Sequence, residues 1–214
     1  VAKRTYVEPL WHVQLTVLLA LALQIGLPAR LVIGPRFVVP SLEAILLIGL
    51  TLTTPKRYEQ QSRTRQMAAV AMIMVTSIAN AGSLFLLVRY LANGGKTGGE
   101  ELILSALNLF ATNIIVFALW YWEIDAGGPG ARHNDGTRLP DFMFPQLNSK
   151  ELAPEGWIPT FVDYLYVSAT NATAFSPTDT LPLTHRAKLL MLAQSLVSLL
   201  TVALVAARAV NILS

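Results

Sequence analysis

Hydrophobic residues along this chain are gathered into long runs, and the polar residues fall in short stretches between them. A hydrocarbon layer about 30 Å thick needs about 20 helical residues rising 1.5 Å each. Five runs approach that length, at 10–27, 36–54, 67–92, 101–124 and 187–213. Trp11, Trp120, Tyr121 and Trp122 lie near run ends, where amphipathic rings prefer the headgroup level. The pattern predicts an all-α integral membrane protein with about five transmembrane helices.

The connections differ in character. KRYEQQSRTRQ at 56–66 is basic, ANGGKTGGE at 92–100 is a near-neutral glycine turn, and 125–186 is long. The long connection opens with the turn residues AGGPGARHNDG, continues through RLPDFMFPQLNSKELAPEG, and becomes apolar again at WIPTFVDYLYVSATNATAF. That last run is too short and too polar to span, and has the length of a re-entrant or interfacial segment. Thr160 followed three residues on by Asp163, with Pro159 in front, is a capping-box-like start and predicts a helix over 161–172. Pro177 ends it, and Ser176 before the proline favours extended backbone. The prediction is a short helix, an extended stretch, a turn at TDTLP and then a full span. Non-helical backbone at membrane depth is tolerated only where protein buries it or a watery cavity adjoins it, a condition that a pore loop meets.

Residues 161–194, FVDYLYVSATNATAFSPTDTLPLTHRAKLLMLAQ, resemble the pore domain of tetrameric potassium channels. Asp163, Leu165, Tyr166, Ser168, Thr173, Asp179, Pro182 and Thr184 match that family's pattern without a gap. The family's filter motif T-V-G-Y-G falls on Ala174, Phe175, Ser176, Pro177 and Thr178, so its glycines and tyrosine are absent. In such filters backbone carbonyls replace the ion's hydration shell, and glycines allow successive carbonyls to align. The resemblance therefore implies a re-entrant pore helix and loop, but a wider, partly hydrated cation site. Its ligands would be the hydroxyls of Thr173, Ser176 and Thr178, with the Asp179 carboxylate at the mouth, repeated four times. Plainer readings stand beside this one: Asp163 and Asp179 as turn or helix caps, and Phe175 as a packing residue. The whole chain also resembles a group of bacterial five-span membrane proteins that carry the same W-E-x-D and FSPTD segments, a likeness that implies no function.

In the last run, Met191, Gln194, Ser198, Thr201, Val205 and Arg208 recur at spacings of three and four and so share a stripe. Such a stripe either lines a pore or mediates helix packing, where small and amide side chains let spans approach. No glycine lies in this run, so a glycine gating hinge is absent. Asn108, Thr112 and Asn113 in 101–124, and Asn80 and Ser83 in 67–92, are assigned to helix contacts.

Composition agrees with this picture. At 53% hydrophobic, 14% charged and a mean hydropathy of +0.50, the chain lies outside soluble usage, which argues against an ordinary soluble enzyme and against a disordered tail. With no cysteine there is no disulfide, thiolate metal site or cysteine nucleophile. His12, His133 and His185 are scattered, and no Ser-His-Asp or paired-carboxylate arrangement stands out. Glu123 and Asp125 are assigned to a solvated helix end, with a weak divalent site as the sharper alternative. No catalytic residue, metal site or cofactor is expected, and nucleic acid is not a partner. The first run lacks an A-x-A-like end, so it is read as a retained span.

The net charge of +3 bears on orientation. With five spans, eleven Lys and Arg fall on the side of the N-terminus and 125–186, against five on the other, which favours the first side as cytoplasmic. A potassium-channel-like loop requires the opposite. Either the loop is inverted, as in ionotropic glutamate receptors, or one early run does not cross.

The chain thus divides into an N-terminal region, 1–100, and a pore-loop domain, 101–214. The latter comprises an outer helix at 101–124, a long loop at 125–159, a pore helix and filter-like loop at 160–182 and an inner helix at 187–213. The expected function is a homotetrameric channel in the bacterial inner membrane that passes monovalent cations with weak selectivity. A non-conducting descendant serving as scaffold or accessory subunit is the alternative, and a transporter with a broken-helix site is a third.

Overall fold

A computed structural model describes residues 11–52, 63–94, 98–134, 138–149, 151, 156–174 and 179–213. The described chain is mostly helical. Helix α1, Trp11–Ile25, and α2, Val38–Leu52, form a hairpin around a short 3-10 turn at Ala29–Leu31. Pro28 lacks the N–H needed to continue α1, and Leu27 instead closes a tighter turn onto the Gln24 carbonyl. Helix α3 is Arg63–Ala92, α4 is Gly99–Ile124 and α8 is His185–Leu213. Between α4 and α8 lie α5, Pro129–Asn134, α6, Pro145–Asn148, and α7, Phe161–Ala174. Two residue pairs, Phe142–Met143 (β1) and Leu181–Pro182 (β2), form an antiparallel ladder with Phe142 opposite Pro182.

Among the described residues, three helices are long and apolar enough to cross a membrane: Thr64–Ala92, Gly99–Gly127 and His185–Ala207. The first two predicted spans form helices of 15 residues each, about 22 Å long at the helical rise. They are apolar but shorter than the expected crossing length.

Helix α4 is the central element, touching α1, α3, α7 and α8. Its buried face carries both apolar and polar residues: Leu102, Leu109, Val116 and Leu119 alternate with the polar Ser105, Thr112 and Asn113, while Ile103, Leu104 and Leu107 are exposed. One hydrophobic cluster joins Val116, Leu119 and Trp122 to Phe142, Phe161, Tyr164 and Val167. A second, toward the other end, joins Leu102 and Leu109 to Leu27, Leu31, Leu84 and Leu87. Trp122 meets Phe161 edge-on, and the Phe144 ring meets Tyr164 in the same way, geometries that suit the aromatic quadrupole.

The end of α4 is set by backbone conformation. Asp125 leaves the helix at φ −60°, ψ 126°, Ala126 adopts φ 51°, and Gly127 and Gly128 follow at φ 86° and 98°. With ψ at 171°, Gly128 occupies a region open essentially to glycine alone. A Cβ there would also lie 2.8 Å from Gln66 Nε2 and 3.1 Å from the Glu123 carbonyl oxygen. Gly128→Ala is therefore expected to lower stability by about 1–3 kcal/mol, read as a lower thermal midpoint in detergent. An unchanged midpoint would show that the turn relaxes freely.

Candidate functional site

Two polar layers hold α7 in place. The first is a clasp at the C-terminal end of α4, built on Asp125 and Asp141. The Asp125 carboxylate is buried and accepts three hydrogen bonds: from the backbone N–H of Asp141 at 2.6 Å, from that of Phe142 at 3.2 Å, and from the Tyr164 hydroxyl of α7 at 2.5 Å. The Asp141 carboxylate, itself fully buried, accepts two from Arg186 at 2.6 Å each, one from the Thr184 hydroxyl at 2.5 Å and one from the Ala126 N–H at 3.1 Å. Arg132 donates to the carbonyls of Trp122 and Asp125 at 2.7 and 2.9 Å, and its guanidinium stands 5.0 Å from the Tyr164 ring centre. The end of α4, the ladder, the start of α7 and the start of α8 thus meet at two carboxylates.

Burial works to raise the Asp141 carboxyl, but the Arg186 and Thr184 hydrogen bonds, the Arg186 charge and the Ala126 N–H together hold it below its ordinary value of 3.8. A carboxyl depressed in the folded state stabilises the fold above its unfolded value and loses that contribution as pH falls through the folded value. The thermal midpoint is therefore expected to fall more steeply below about pH 3.8 in the native chain than in Asp141→Asn. Parallel pH profiles for the two proteins would refute this.

Glu123 and Asp125 are not a solvated helix end. They are 2% and 1% exposed, because 139–148 and α7 fold over the α4 terminus. The Glu123 carboxylate faces the Gln66 amide and the Arg132 guanidinium, and Arg132 Nε and Nη2 are buried without a hydrogen-bond partner among the described residues.

The second layer is an amide and hydroxyl network one to two turns deeper. Gln194 of α8 accepts from the Tyr121 hydroxyl of α4 at 2.5 Å and from Asn171 of α7 at 2.9 Å. Its own amide donates to the Ser168 carbonyl and hydroxyl at 2.9 and 2.7 Å. Ser168 in turn donates to the Ile114 carbonyl at 2.7 Å, and Asn113 donates to the Ser198 hydroxyl at 3.0 Å. Because Tyr164 meets Asp125 and Ser168 meets Ile114, α7 runs back along α4. The chain then returns at β2 to the same end of α4, beside Asp141.

The carboxylate arm of the predicted cap forms: Asp163 accepts from the Thr160 N–H at 2.7 Å and from its hydroxyl at 2.8 Å. Of the filter-like residues, Thr173 is exposed and donates to the Ala169 carbonyl of its own helix, Ala174 ends α7, and Asp179 is exposed. Phe175, Ser176, Pro177 and Thr178 lie outside the described residues. Of the α8 stripe, Gln194, Ser198 and Thr201 are buried within the chain, Gln194 against α4 and α7 and Ser198 against α4, and Val205 is half-buried beside an apolar groove. Helix α8 continues through Arg208, whose side chain is outside the described residues. On α7, Val162, Tyr166 and Thr173 form an exposed face opposite the contacts with α4 and α8. Asp125, Asp141 and Arg186, which organise the clasp, carry no spacing that links them in sequence.

Comparison of the chain with family models, with curated proteins and with solved structures finds no match.

Proposed function

We propose that residues 101–214 form a pore-loop domain that assembles as a homotetramer in the bacterial inner membrane and passes monovalent cations with weak selectivity. The observation that supports this reading is the placement of α7 and β2: α7 starts at one end of α4 and runs back along it for three to four turns, and β2 stands in the ladder at that same end. At about 21 Å for 14 residues, α7 is too short to cross a bilayer, which suits a helix that enters partway. Its exposed face of Val162, Tyr166 and Thr173 is available to a neighbouring subunit around a shared axis. On this reading α1 and α2 complete five crossings, and the filter-like residues from Thr173 to Asp179 belong to the ion pathway. The lack of glycine in that segment is the reason for weak selectivity.

The burial of Gln194 and Ser198 inside the subunit favours a second reading, a non-conducting scaffold or accessory subunit, because it leaves fewer polar groups for an axial pore. Planar-bilayer recording of the purified protein, combined with its mass in detergent, separates the two. Cation currents from a tetramer support the channel, a silent tetramer supports the scaffold, and a silent monomer rejects both assemblies.

A further inference from the structure

Among the described residues, the N-terminal region holds one buried carboxylate that no part of the pore-loop reading uses. Glu43 lies in the apolar helix α2 and is 1% exposed. Its carboxylate accepts a hydrogen bond at 3.1 Å from the neutral Gln24 amide of α1. On α3, the residues Thr76, Asn80 and Ser83 occupy one helix face at spacings of four and three, and all three are buried. Between this face and the α1–α2 turn is a cavity of about 20 Å³, lined mostly by apolar side chains such as Ile33 and Val39 but also bordered by Gln24, Arg36, Asn80 and Ser83. That is room for one water molecule with several polar partners. Arg36 donates to the Ile25 carbonyl at the turn, so it marks the outer end of this polar line.

These positions define a direction. Thr76 is near the middle of α3, whereas Ser83 and the α1–α2 turn lie toward its Ala92 end. The buried polar groups thus form a line from the turn into the three-helix unit, with Glu43 beside its inner part. A buried charge is costly unless paired, and an ionisable side chain within an apolar helix marks an ion or proton pathway more often than a structural contact. The groups facing Glu43 from the packed elements are Gln24 of α1 and the α3 face, all uncharged. The charged residues of α3, Arg63, Arg65 and Arg89, stand at its two ends, and His12 is at the far end of α1.

We propose that Glu43 is a proton-binding site that exchanges protons with the side of the membrane at the α1–α2 turn, along Arg36, Ser83 and Asn80. The bound species is a proton on the carboxylate, and the donor is water at the turn. This does not depend on conduction by the C-terminal half.

The test is labelling of the full chain in liposomes with a hydrophobic carbodiimide, which adds to protonated carboxyl groups, followed by peptide mass analysis. The expected result is an adduct on Glu43 that disappears as pH is raised, that is lost in Glu43→Gln, and whose pH response is strongly slowed in Ser83→Val. No adduct at any pH overturns the proposal, as does an adduct indifferent to pH, which would mark a permanently neutral contact. Protection by alkali cations at constant pH would also overturn it, by assigning the site to a metal ion. Ser83→Val serves as the second variant because it leaves the carboxylate and its Gln24 partner in place.

Discussion

Asp125→Ala is expected to lower folding stability by at least about 3 kcal/mol, because three buried donors lose their acceptor at about 1–3 kcal/mol each. Those donors are the Tyr164 hydroxyl and the N–H groups of Asp141 and Phe142, and water does not reach Tyr164, Asp141 or Phe142. Asp125→Asn keeps one carbonyl acceptor and should fall between the two. Asp141→Asn should cost less than Asp125→Ala, since the Arg186 side chain it releases is 58% exposed and turns to solvent. The thermal midpoints of the three variants in detergent give the ranking. If Asp125→Ala melted with the native chain, the clasp would not be what fixes α7 to α4.

Gln194→Leu is expected to cost about 2 kcal/mol, from four interhelical hydrogen bonds at about 0.6 kcal/mol each. The effect should be concentrated in α7, because Ser168 and Asn171 lose their link to α8 together. Hydrogen exchange over 161–174 should accelerate, while exchange in α3 stays as it was. Combined with Asn171→Ala, the losses should be less than additive, since both changes break the same contact. A pore-lining Gln194 predicts the reverse: altered conductance with an unchanged thermal midpoint and unchanged exchange. The measurement therefore discriminates between helix packing and pore lining for this residue.

Part of the architecture was legible along the chain. Thr160 and Asp163 carry a local signal, since a cap involves neighbours three residues apart, and the start of α7 follows from them. The long apolar runs at 67–92, 101–124 and 187–213 match α3, α4 and α8 because hydropathy and length are additive along a helix. The spacing of Gln194, Ser198 and Thr201 identified one stripe, but a stripe has no partner until other helices are placed. Glu123 and Asp125 were misassigned for the same reason. Two acids after an apolar run look solvated, and only the fold of 139–148 and α7 over that end removes the water.

The sequence by itself determined that this is a helical chain suited to a membrane, where its long helices run, and where the short helix between the last two begins. Those features depend on composition, periodicity and contacts within one turn. Only the tertiary structure decided that Asp125 and Asp141 gather four segments, that the α8 amide belongs to the chain's interior, and that Glu43 stands at the end of a polar line. Each of these joins residues 15 or more positions apart, and a buried polar group's role is set by the partner that satisfies it, which folding alone brings near.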